Sequence, residues 1–191
     1  MKRFLFILPF FLFSCYTTAF FQSPKILDKG KVEIGVGMTE TGGDLYEIFG
    51  QMRIGIGKKS DIGFRVFGKP PIGPEKGGFV GIYGDSKEQL TDGPFYVSYV
   101  LGLSYTYPFA LAAYPTIAVG TENFYGAARV IIIGGKGGIG GIVPGLTFGA
   151  FIGEKFFIVP EFGILALIPK EEFQVYPNLY FSLGVSIRPW R

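Results

Sequence analysis

LYFSLGVSIRPW, residues 179–190, stands one residue short of the C-terminus of this chain. On an extended backbone Leu179, Phe181, Leu183, Val185 and Ile187 fall on one side, and Tyr180, Ser182, Gly184, Ser186 and Arg188 on the other. Side chains of a strand alternate between two faces, so the stretch reads as a two-faced β-strand. Its oily face must look at a protein core or at lipid, and the rest of the chain decides which.

The same alternation recurs upstream. Val32, Ile34, Val36 and Met38 alternate with Lys31, Glu33, Gly35 and Gly37; Ile48, Met52 and Ile54 alternate with Glu47, Gln51 and Arg53. Ile62, Phe64 and Val66 oppose Gly63, Arg65 and Phe67, and Val80 and Ile82 oppose Gly81, Tyr83, Asp85 and Lys87. Further segments follow at 95–107, 110–120, 124–134, 141–153 and 156–168, with turn signals between them such as GKKSD at 57–61. These add up to about ten candidate strands. Pro115, Pro144 and Pro160 fall inside three of the segments, and a closed sheet has no edge strand to hold a proline. Eight strands is the alternative.

Composition narrows the environment. Of 191 residues, 48% are hydrophobic and 17% charged, against roughly 25% charged in soluble domains. Mean hydropathy is +0.36. Past residue 15 there is no uninterrupted apolar run of about 18 residues, the length a membrane-spanning helix needs. Lipid then admits only a closed β-barrel, which leaves no unpaired backbone edge. The less oily side of the strands carries Gly, Ser and isolated charges rather than the Lys, Glu and Thr of a water-facing sheet. Small residues of that kind suit the inside of a narrow barrel. The fold expected is an all-β, antiparallel, up-and-down transmembrane barrel over residues 30–191, with the oily face of residues 179–190 on lipid.

The N-terminus reads as an export signal. Lys2 and Arg3 precede an apolar run from Phe4 to Phe13, too short to anchor a chain across a bilayer and suited to the core of a leader. Cys15, the only cysteine, follows Leu12-Phe13-Ser14. This stretch resembles the lipobox of bacterial lipoproteins. The resemblance implies a signal peptide over 1–14, lipidation of Cys15, and a lipid-anchored tether over 15–29. The alternative is an ordinary peptidase cutting near Ala19 and discarding Cys15.

The last strand, closing on aromatic Trp190, resembles the C-terminal insertion signal of Gram-negative outer-membrane barrels. Over residues 30–190 the chain is similar to small outer-membrane β-barrel proteins as a class. That resemblance implies outer-membrane lipid and the barrel-insertion machinery as partners. It also implies both termini in the periplasm, with the turns near 58–60, 88–94, 121–123 and 153–155 on that side.

Chemistry is mostly excluded. The chain has no histidine, which removes Ser-His-Asp and Cys-His catalysis and histidine metal sites. Basic residues are scattered singly, so nucleic acid is not an expected partner. Gly135–Gly140 matches G-x-G-x-x-G, but the glycines and Pro144 that follow oppose the helix a dinucleotide site needs. No cofactor is expected. What remains is a set of inward charges, Glu33, Glu47, Arg53, Arg65, Asp85 and Glu161, with Asp61, Lys87, Arg129 and Arg188 on the same face. Interior charges are rarely left unpaired, so a plugging network of ion pairs is expected. A turn at 57–61 sets Arg53 opposite Arg65, with Glu33 opposite Gln51 as the nearest bridging acid. The function expected is non-catalytic: a structural barrel or a narrow passage for small solutes. The alternative is a periplasmic lipoprotein barrel carrying an apolar ligand.

Overall fold

The computed structural model describes residues 19–41, 45–69, 78–107, 110–135, 138–169 and 175–189. The leader, Cys15 and Trp190 lie outside the described residues. Every alternating segment forms a strand: β1 (Val32–Thr41), β2 (Leu45–Gly55), β3 (Ser60–Lys69), β4 (Phe79–Gln89), β5 (Tyr96–Tyr107), β6 (Ala110–Gly120), β7 (Phe124–Gly135), β8 (Gly138–Ala150), β9 (Ile152–Gly153), β10 (Phe156–Pro169) and β11 (Tyr176–Ile187). β9 continues β8 beyond Phe151 by two residues, so ten strands make the wall. Each is antiparallel to its sequence neighbours, and β11 returns to pair with β1 from Ile34↔Ile187 to Thr41↔Tyr180. The sheet is therefore a closed up-and-down barrel.

The prolines sit where the ladder opens. Pairing of β6 with β7 runs to Ala113↔Ile132 and resumes at Thr116↔Arg129, leaving Pro115 in the gap. Between β8 and β10 it breaks from Leu165↔Gly145 to Ile168↔Ile142, at Pro144. Pro160 lies between Glu161↔Gly149 and Ile158↔Ile152, where Phe151 leaves the ladder. On its other side each proline stays in register, with Leu101, Val130 and Leu183 respectively. A proline lacks the N–H that a ladder uses, so one interrupted side per proline is what the wall must tolerate. Ten strands accommodate all three.

The two faces separate cleanly. Outside, Val36, Leu103 and Leu179 are 59%, 64% and 72% exposed; inside, Thr147, Glu161 and Ser182 are fully buried. An apolar belt running right round a molecule far exceeds the few hundred Å² that a water-soluble monomer shows. Among the described residues no helix is long and apolar enough to cross a membrane. The full-length wall strands run from 10 to 14 residues, and about 9–11 tilted residues span a bilayer core.

The inner face explains its own glycines. Rings on one strand lie over glycines on the next: Phe49 over Gly37, Phe67 over Gly81, Tyr83 over Gly102, Tyr125 over Gly149 and Tyr180 over Gly163. A Cβ at any of the five would stand 2.3–2.6 Å from ring atoms. Ring and glycine thus share one cross-strand volume, the covering of glycine by aromatics that stabilises strand pairs. The G-x-G-x-x-G stretch falls where β7 ends at Gly135 and β8 begins at Gly138, and the described residues on either side are strand.

Candidate functional site: the filled lumen

The stretch expected to be a tether does something else over its described part. Residues 19–28 run inside the barrel, and Ala19, Phe20, Phe21, Gln22, Ser23, Ile26 and Leu27 are all buried. The run ends in a turn where Gly30 takes φ +79°, Lys31 N–H donates to the Asp28 carbonyl (2.9 Å) and Gly30 N–H to Gly55 (2.8 Å). Gly55 is required for this approach: a Cβ there would lie 2.2 Å from the Asp28 carbonyl oxygen. From that turn the chain reverses into β1.

A buried segment must satisfy its backbone groups, and this one does so with wall side chains. Arg65 donates to the carbonyls of Ala19 (2.5 Å) and Phe20 (2.9 Å), and Gln51 Nε2 to that of Phe21 (3.1 Å). Lys87 Nζ donates to Ser23 (2.9 Å) and Lys25 (3.1 Å), and Ser98 Oγ to Pro24. In return Ile26 N–H donates to Gln89 Oε1 (3.2 Å) and Leu27 N–H to Asp61 Oδ2 (3.1 Å). Gln22 Nε2 reaches Asp85 Oδ2 at 2.8 Å. At the inner end of the segment the N–H groups of Phe20 and Phe21 both point at Glu161, one to each carboxylate oxygen, at 2.7 Å. Phe21 has φ +49°, and this left-handed turn brings two successive N–H groups onto one anion as backbone nests do. Its ring fits edge-on against Phe49 at 4.9 Å and occupies the space over Gly184.

The charges pair differently from the sequence expectation. Arg53 stands opposite Gly63, and Arg65 opposite Gln51; Glu33 stands opposite Arg53, not Gln51. The arginines are displaced by two residues because the β2–β3 hairpin closes on Gly55↔Asp61, and Glu33 is displaced by two in the separate β1–β2 register. No bridged arginine pair forms. Arg53 instead lies between Asp61 and Asp85, the latter at 2.8 Å, and Lys87 Nζ meets Asp61 at 3.0 Å. These four make a neutral buried quartet. Arg65 stacks over Phe49, 4.6 Å from the ring centre, and turns its donors to the internal segment. Glu33 pairs with Arg188. Glu47 is buried on the same wall. Glu161 collects four donors, the two N–H groups with Tyr125 (2.5 Å) and Tyr180 (3.2 Å), but among the described residues no lysine or arginine forms an ion pair with it. Arg129 donates to the Tyr180 hydroxyl at 3.3 Å and lies over that ring, 5.6 Å from its centre.

Sequence reasoning placed the inward residues on the right face and missed their guest. The signal was present: Gln51, Ser98 and Gln89 point inward, and amides and hydroxyls of that kind are what an internal strand of backbone needs. The quartet and the Glu161 nest hold chain rather than hold a reactive centre open. Among the described residues no group of three or more Cys, Asp or Glu is placed to bind a metal ion.

No family model matches the chain, and no curated protein matches it. The chain is similar to solved structures. A KdgM porin in complex with disordered oligogalacturonate superposes with a TM-score of 0.50 at 10% identity, covering 81% of this chain and 98% of the porin. A bacterial polysaccharide outer membrane secretin gives 0.49 at 13% identity over 83% of this chain, which spans 65% of the secretin's length. The N-terminal β-barrel domain of Pseudomonas aeruginosa OprF gives 0.42 at 10% identity over 84% of this chain and 98% of that one. At 10% identity the likeness to the KdgM porin is one of fold alone.

Proposed function

We propose that this protein is an exported, non-catalytic outer-membrane barrel that carries its own plug, residues 19–28. Its role is structural, or passage of small solutes restricted by that segment. The observation that carries the reading is the filled lumen: wall side chains from β2, β3, β4, β5 and β10 hydrogen-bond the segment along its length. The apolar outer belt supports a bilayer location. A ten-strand bore is narrow to begin with, and a peptide along it leaves no wide aqueous path. The ligand-carrier alternative needs an empty cavity, whereas residues 19–28 occupy this bore beside packed apolar side chains such as Ile131, Val143 and Leu165.

Planar-bilayer conductance tests the reading. Wild type should be silent or show only rare small openings. A variant with residues 20–28 replaced by a Gly/Ser stretch of the same length should conduct steadily. Steady large conductance in wild type would show that the segment is no plug.

A further inference from the structure

The nest on Glu161 poses a charge problem. A fully buried carboxylate is costly unless a positive charge compensates it, and here all four donors are neutral groups. One of the donors is the backbone nitrogen of Phe20, 2.7 Å from Glu161 Oε1. Immediately before it the sequence reads Thr17-Thr18-Ala19, small residues one and three positions ahead of the Ala19–Phe20 bond. That pattern, a few residues beyond the apolar run Phe4–Phe13, is the cleavage pattern of an exported precursor.

The geometry points to the Ala19–Phe20 bond as the processing site, with the new α-ammonium of Phe20 seated on Glu161 as the counter-ion that the described residues do not supply. Hydrolysis by an export-pathway endopeptidase consumes one water. The C–N bond breaks, the hydroxyl goes to the Ala19 carbonyl carbon to give a carboxylic acid that ionises, and the amine released at Phe20 takes up a proton. Cleavage precedes folding, because Ala19 and Phe20 are 2% and 4% exposed in the closed barrel. Among the described residues the mature barrel gives up the contact of Arg65 Nη1 with the Ala19 carbonyl, and it gains a full positive charge against Glu161. Arg65 keeps the Phe20 carbonyl and Gln51. The rings of the first two mature residues, Phe20 beside Tyr125 (5.8 Å) and Phe21 beside Phe49, fix the amine in place. Processing at this bond and lipidation of Cys15 exclude one another, since the cut removes Cys15.

The inference rests on the export reading above, and the experiment separates the two. The full-length gene is expressed in a Gram-negative host, the protein is purified from its membranes, and the intact mass and N-terminal peptide are determined. A free N-terminus at Phe20 is expected. An acylated Cys15 overturns this inference and leaves the export reading standing, whereas a soluble chain that keeps Met1 overturns both. Seating is then read by reductive methylation of amines. In the folded barrel the Phe20 amine should stay unmodified, and after heat unfolding it should be modified fully. Equal modification in both states overturns the ion pair. Glu161→Gln keeps the shape and removes the charge, and a heat-modifiable Glu161→Gln barrel should expose the amine to reagent. Continued protection in that folded variant counts against the charge as the anchor. Should the variant not fold, the wild-type comparison decides alone.

Discussion

Arg53 shows what one side chain does in this lumen. It neutralises Asp61 and Asp85 together, with both carboxylates nearly or wholly shielded from water. Arg53→Ala leaves two buried carboxylates against Lys87 alone, and breaking a buried pair on one side costs about 3–5 kcal/mol. The expected outcome is a lower urea midpoint and a band that unfolds on gels at lower temperature. Replacing both members of the Arg188–Glu33 pair by leucine removes charge and partner together, so its effect should be near zero or slightly stabilising. Equal losses from the two experiments would mean that pairing is not what these residues contribute. At this scale the sequence was half legible. Alternation placed Glu33, Glu47, Arg53, Arg65, Asp85 and Glu161 on the face where they are buried, because period two is set by backbone geometry, and it passed over Lys69, which is buried with them. It could not assign partners, because partner choice depends on the hairpin register, and a two-residue displacement keeps each side chain on its face while changing what it opposes.

At the scale of elements, the ring-over-glycine pairs set how neighbouring strands fit. Gly37 in β1 leaves the space that Phe49 in β2 fills, 2.6 Å from where a Cβ would be. Gly37→Val should destabilise the barrel by about 1–3 kcal/mol through overpacking. Adding Phe49→Ala should recover part of that loss, a non-additivity that a double-mutant cycle in urea measures. Simple addition of the two costs would show that the ring and glycine do not share space. The strands themselves were legible in their alternation, down to β11, where residues 179–187 behave as the pattern requires. The prolines looked like an argument for fewer strands. Pairing is interrupted on one side of Pro115, Pro144 and Pro160 while the other side continues, and such one-sided gaps leave no trace in hydrophobic periodicity.

For the whole molecule, the closed sheet and its apolar belt determine where it can reside. The turns at 56–59, 90–95, 121–123 and 154–155 share one end, and the internal segment turns into β1 at that same end. If that end is periplasmic, single cysteines should report it: on intact cells a membrane-impermeant maleimide should label Lys136→Cys and spare Lys58→Cys, with the reverse pattern inverting the topology. Inward Gln51, Ser98 and Gln89 signalled a guest, but its identity and course were not legible. Residues 19–28 lack alternation because no neighbouring strand dictates it; their conformation is set by Glu161, Arg65, Lys87 and Asp61, contributed from distant parts of the chain.

That distance imposes an order of events. Phe20 meets Glu161 across 141 positions, and the space for the Phe21 ring is left by Gly184 in the final strand. The segment can meet Gln51, Asp61 and Arg65 early, but it completes its contacts only when the last strands arrive, and contacts of such separation form slowly. A barrel wound strand by strand could close over an empty bore and shut its own leading end outside. To reach the arrangement seen, the leading end must already lie along the growing sheet when β11 meets β1. In that sense it is a mandrel around which the wall is wound.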